Sequence, residues 1–186
     1  MRLILPKTFI EESEINRPLF FLAGPIRGGG NWQEKFCMAM AKLILEFFVV
    51  VPCRWQPGNN LFCHRVNGTE DKFPRQTAWE HHYLDLTAKK SKTHQGCIVF
   101  WLPVESKEQP RDDGQPYARD TYGELGSWRR NLAFDESIRL VVGAEPDFPG
   151  LSVIRENFRL DLADNSGFII YSTMEETVNH AVQWVK

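Results

Sequence analysis

Three short, uninterrupted apolar runs, each cut off by proline or Gly-Pro, constrain this chain most. They are residues 18–23 (PLFFLA), 48–51 (FVVV) and 96–102 (GCIVFWL), stopped by Gly24-Pro25, Pro52 and Pro103. A strand that alternates apolar and polar residues shows one face to water, whereas a solid apolar strand is buried on both faces and belongs to a parallel sheet. Two further strands are predicted over Ser137–Val142 and Phe168–Tyr171. Between them lie stretches with helical spacing. Trp32–Phe47 places Phe36, Met40, Leu43 and Phe47 on one face, with Asn31 at the N-cap. Thr77–Lys92, Thr121–Leu132 and Met174–Val185 read as further helices. Strands alternating with helices predict an α/β fold: a flavodoxin-like three-layer sandwich around a mostly parallel five-stranded sheet of order 2-1-3-4-5. Residues 1–17 read as an N-terminal arm ahead of a single domain over 18–186, within the usual size of one domain.

Composition narrows the function classes. Net charge is −2 and the hydrophobic share 42%. Those values exclude a largely disordered chain and offer no basic face for polymeric nucleic acid. No apolar run approaches the ~20 residues of a membrane span, and Pro6 and Lys7 interrupt the first apolar stretch, so neither a membrane segment nor a signal peptide is expected. The four cysteines, at 37, 53, 63 and 97, fit neither a disulfide framework nor a CxxC metal pair. Cys37 and Cys97 sit in apolar segments and are expected in the core. Adjacent His81 and His82 diverge on a helix, so no metal site is expected, nor a cofactor. Asn67-Gly68-Thr69 matches a glycosylation sequon, but without a secretion signal the expected compartment is a reducing cytoplasm.

In open parallel sheets, ligands bind at the carboxyl ends of the strands where the strand order reverses. The loops there carry chemistry. After the first apolar run come Ala23, Gly24, Pro25, Ile26, Arg27, Gly28, Gly29 and Gly30, ahead of a helix that opens at Trp32. Glycines permit close backbone approach to a ligand, and a helix start favours anions. The loop is neither a Walker A sequence nor a dinucleotide fingerprint, since Gln33 stands where the last glycine would be. After the second run, Arg54 and Trp55 offer a cationic fork and a stacking face. The second helix carries Glu80 and Asp85 on different faces. After the third run, Arg119 and Asp120 precede Gly123-Glu124-Leu125-Gly126. Glycines beside Glu124 leave its carboxylate open to substrate. With the helix starting at Thr121, Glu124 falls in the first turn, where the ionised form is favoured, as suits a nucleophile.

Together these segments resemble the nucleoside 2-deoxyribosyltransferase-like family, in its divergent branch. The matching pieces are FLAGPI at 21–26, PCRW at 52–55, WE at 79–80, IVFWLP at 98–103 and GELG at 123–126, in family order. The resemblance implies the flavodoxin-like fold and a Glu nucleophile that attacks the anomeric carbon, which falls on Glu124. It also implies a second carboxylate that handles the base, Glu80 first and Asp85 second. Asp120 stands nearest to the family's Asp ahead of the nucleophile, with Arg119 beside it.

The expected activity is N-glycosidic cleavage or transfer on a nucleoside or nucleotide: a transferase if another base accepts the sugar, a hydrolase if water does. Trp32, Trp55 and Trp101 are candidates to border the base, and Arg27, Arg54 and Arg119 to meet a 5′-phosphate. Two other readings fit the same loops: a non-catalytic nucleotide-binding or sensing module, and a glycohydrolase of an NAD-type dinucleotide. The resemblance further implies a homodimer or larger homo-oligomer.

Overall fold

The computed structural model describes residues 1–53, 55–89, 91–162 and 167–185. The strands are β1 (Arg2–Ile4), β2 (Leu19–Ala23), β3 (Phe48–Val50), β4 (Gly96–Leu102), β5 (Leu140–Ala144) and β6 (Ile170–Tyr171). The helices are α1 (Trp32–Ala41), α2 (Gln76–Ala88), α3 (Arg119–Phe134), α4 (Leu151–Leu162) and α5 (Met174–Gln183). All strand pairs are parallel, in the order β1-β3-β2-β4-β5-β6. Without β1 this is the expected 2-1-3-4-5 order, so the fold is the predicted flavodoxin-like three-layer sandwich with six strands instead of five.

The solid apolar runs behave as a doubly covered sheet requires. Every residue of β2 and β4 is buried. Alternate side chains feed two cores. Phe21, Ile98, Phe100 and Val142 pack with Trp79 and Tyr83 of α2, Leu125 and Trp128 of α3, and Ile154 and Phe158 of α4. Phe20, Leu22, Val99 and Val141 face the opposite way, onto Trp32, Phe36 and Met40 of α1 and Val178 and Val182 of α5. Each such large apolar side chain contributes about 1.5–3 kcal/mol relative to exposure. Cys37 and Cys97 are buried as expected, Cys53 is buried too, and Cys63 is exposed.

Several boundaries differ from the sequence reading. Within residues 1–17, read as an N-terminal arm, β1 pairs in register with β3 from Arg2↔Phe48 to Ile4↔Val50, and Ile10 and Ile15 enter the core. A strand of three residues, Arg2-Leu3-Ile4, is too short to be told from a tail. Helix α1 ends at Ala41, so Phe47 belongs with the next strand's core and Leu43 and Leu45 face outward. Asn31 stands at the N-cap, but its amide donates to Glu34 instead of capping the backbone. Helix α4 was not foreseen, because its buried Leu151, Ile154 and Phe158 are diluted by arginines and glutamates. Strand β5 starts at Leu140, not Ser137, and β6 is only Ile170–Tyr171. His82 packs against Phe9, Phe73 and Tyr83 at ring-centroid distances of 5.7, 5.2 and 4.9 Å. Among the described residues no helix is long and apolar enough to cross a membrane, and no group of three or more His, Cys, Asp or Glu could hold a metal ion.

Candidate functional site

The chain leaves β2 toward β3 on one side and enters β4 on the other, so strand order reverses between β2 and β4. At their carboxyl ends lies a cleft of about 690 Å³. Its walls come from the turn after β2 (Ala23–Arg27), Pro52 after β3, the start of α2 (Gln76, Thr77, Glu80) and the segment from Arg111 to Glu124. This is where an open parallel sheet is expected to bind a ligand.

The turn after β2 is shaped by close packing. Gly24 has φ +146°, and a Cβ there would lie 2.2 Å from the Trp101 carbonyl oxygen. The next turn is pinned by Trp32, whose indole Nε1 donates to the Pro25 carbonyl at 2.8 Å. Trp32 is therefore a buried brace of the cleft wall, not a surface for a base. Gly28 has φ +81°, and its carbonyl accepts from the Ser106 amide at 2.7 Å. It joins the turn to the 105–117 loop and does not line the cleft. Trp101 is buried on β4, and Trp55 packs half-buried against the α1-side core; neither lines the cleft.

Two helices deliver carboxylates by the same spacing. On α2, Trp79 and Tyr83 face the core while Gln76 and Glu80, one turn apart, face the cleft. The Gln76 amide donates to Glu80 Oε1 at 2.8 Å and to the Pro52 carbonyl at 3.4 Å. On α3, Leu125 and Trp128 face the core while Asp120 and Glu124 face the cleft. Ala118, at φ +58°, turns the chain into this helix; it is one of two non-glycine residues with positive φ among the described residues. The helix opens at Arg119, so Glu124 stands in the second turn, not the first. The expected first-turn stabilisation of its anion is therefore missing. Burial, reinforced by the charges of Glu80 and Asp120, instead pushes the Glu124 carboxyl up to about 7. Burial also raises the Glu80 carboxyl, against the pull of the Gln76 hydrogen bond. Glu80 and Glu124 thus form a carboxyl pair that resists carrying two charges. Asp85 is exposed and outside the cleft lining, which separates it from this pair.

The outer wall is cationic. Arg27 Nη1 pairs with Asp113 Oδ2 at 2.6 Å. Arg111, which sequence reasoning passed over, grips the same carboxylate through Nε at 2.6 Å and Nη2 at 3.0 Å. Arg119 Nη1 donates to Gln115 Oε1 at 2.6 Å, and its Nε lies 3.3 Å from Asp120 Oδ1. Arg27, Arg111 and Arg119 therefore converge, while Arg54 lies outside the described residues. A signal for Arg111 was available in its place on the polar loop after β4, within an Arg-Asp-Asp-Gly turn.

No protein-family model matches the chain, and no curated protein matches it. The arrangement brings together two inner carboxyls, the charge of Glu80 opposing ionisation of Glu124, and an outer set of guanidinium groups suited to an anion.

Proposed function

We propose that this cleft cleaves the N-glycosidic bond of a nucleoside or nucleotide. The observation that carries the reading is the meeting of Glu80 and Glu124, from different helices, in the switch-point cleft. Glu124 as carboxylate attacks the anomeric carbon, and an ester bond forms as the bond to the base nitrogen breaks. The bonding electron pair leaves with the base, which takes a proton from the Glu80 carboxyl. Water or a second base then attacks the same carbon, returns its proton to Glu80 and frees Glu124. Two carboxyl groups that cannot both ionise easily suit these split roles, as in other glycosyl-transfer sites. The outer arginines favour a 5′-phosphorylated ligand over a neutral nucleoside.

Chromatography of a nucleoside and nucleotide panel incubated with the protein tests the reading. Free base is expected, and its dependence on an added second base separates transferase from hydrolase. A non-catalytic nucleotide-binding module would release none.

The pH dependence follows from Glu124. Its nucleophilic form is the ionised one, and its carboxyl titrates at about 7. Base release at low substrate concentration is therefore expected to rise as pH increases through about 7. A rate that only falls through pH 7 would assign Glu124 the acid role instead. Glu80→Gln is expected to slow substrates with poor leaving bases by about 10²-fold or more, and those with activated bases far less. Equal loss on both kinds would make Glu80 a structural residue.

A further inference from the structure

Asp113 is gripped in an unusual way for a residue at a loop tip. All its acceptor capacity is used: Oδ1 accepts from Arg111 Nε at 2.6 Å and the Gln115 amide at 3.1 Å, and Oδ2 from Arg27 Nη1 at 2.6 Å and Arg111 Nη2 at 3.0 Å. One carboxylate thus sits between two guanidinium groups, from the turn after β2 and from the loop after β4. The Arg111 side chain is only 7% exposed, further held by the Pro116 carbonyl at 3.1 Å, whereas that of Arg27 is 70% exposed. Arg111 is a buried cationic floor, and Arg27 is an exposed arm that meets the same carboxylate. Arg27 and Arg111 share this one carboxylate, while Asp120 Oδ2 stands 4.0 Å from Arg111 Nη2 and Glu105 Oε1 accepts from the Arg111 amide at 2.8 Å. A phosphate monoester, carrying about −1.5 to −2 at neutral pH, matches the pair better than a carboxylate does. Fork-shaped bidentate contact is also the geometry by which Arg recognises phosphate.

We propose that Asp113 is a built-in competitor for the ligand's phosphate: the Arg27–Arg111 pair is the anion site of the cleft, and a phosphorylated ligand takes it by displacing the Asp113 carboxylate. The inference rests on the reading that the cleft accepts a nucleotide, and assigns Asp113 as the residue that sets how strongly phosphate is preferred. A residue that merely braced the two arginines would act in the opposite direction, since its loss would scatter them.

The test is binding of 2′-deoxyadenosine 5′-monophosphate, 2′-deoxyadenosine and inorganic phosphate to wild type and Asp113→Asn by isothermal titration. The asparagine keeps the shape and one acceptor oxygen while removing the competing charge. The expected result is monophosphate binding about tenfold tighter or more in the variant, as for a hydrogen-bonded charge relieved of its competitor, with inorganic phosphate following the same direction and the nucleoside changed by less than about twofold. Unchanged or weaker binding of the monophosphate overturns the proposal and makes Asp113 a brace. Failure of both phosphate probes to bind either protein overturns it as well. If the variant does not fold, hydrogen exchange on the wild type decides: the Gln115 amide, held by Asp113, is expected to exchange faster with the monophosphate bound than with the nucleoside, and equal or slower exchange contradicts displacement. None of these readouts needs turnover. A protein that binds as expected but releases no base therefore keeps this inference and loses the glycosidic one.

Discussion

Glu124→Gln is expected to abolish base release, by about 10³-fold or more, the scale on which removal of a covalent nucleophile acts. The side chain keeps its shape, so substrate binding should survive while the ester to the anomeric carbon no longer forms. Stability should move the other way. The Glu124 carboxyl titrates at about 7 in the fold, raised by burial and by Glu80 and Asp120, against an ordinary value of 4.5. Between those values the folded protein holds a proton that the unfolded chain has lost, so ionisation of Glu124 weakens the fold as pH rises. The glutamine variant escapes that penalty. Its thermal midpoint is expected to match wild type below pH 4.5 and to exceed it increasingly up to about pH 7. A folded variant with near-normal turnover would remove Glu124 from the chemistry. A variant less stable than wild type at pH 8 would contradict the electrostatic account of the carboxyl pair.

Gly24→Ala is expected to damage both fold and cleft. The new Cβ would meet the Trp101 carbonyl oxygen at 2.2 Å and the Trp32 ring at 3.0 Å, in a backbone conformation, φ +146°, that L side chains rarely adopt. Backbone cannot swing aside as a flexible side chain can. Strain and displacement together should cost about 2–4 kcal/mol, a fall in thermal midpoint of roughly 5–12 °C for a chain of this size. The cleft wall carrying Pro25 and Arg27 would shift with it, so base release should fall as well. Gly123→Ala provides the contrast. A Cβ there meets nothing within 4 Å, and the position is helical, so the substitution should stabilise by up to about 1 kcal/mol. Equal thermal midpoints for the two variants would mean that Gly24 is not held as described.

The parallel sheet was legible because β2, β3 and β4 have no polar residue to spare, and a strand buried on both faces admits few other readings. Their carboxyl-end loops, and with them Arg27, followed from topology, whereas Glu80 was singled out by the resemblance and Glu124 by its glycine-flanked segment together with the resemblance. What escaped were features decided by partners far along the chain. Residues 2–4 become a strand only because β3 offers an open edge, and α4 is helical around three buried apolar residues among charges. The tryptophans misled for a related reason. Trp32 carries a polar handle, and sequence cannot say that its indole N–H is used on the Pro25 carbonyl, seven residues away, and not on a ligand. The Glu124 carboxyl was expected to favour its anion from a helix start placed two residues late. Moving that start to Arg119 sets Glu124 in the second turn, beside Glu80 and Asp120, where burial and like charge act. Arg111 was missed because an arginine in a polar loop looks solvated until the loop folds back and shields it.

The central claim is that Glu124 itself bonds to the sugar. Wild type quenched in acid during turnover of whichever nucleoside or nucleotide releases base, then digested with trypsin, tests it by mass. Cleavage after Arg119 and Arg129 yields the peptide spanning residues 120–129, which contains Glu124. The account predicts that this peptide gains the mass of the sugar or sugar phosphate, that fragmentation places the addition on Glu124 and not on Asp120, and that Glu124→Gln shows none. Base release with the addition on another residue, or release that persists in the glutamine variant with no addition at all, would contradict it.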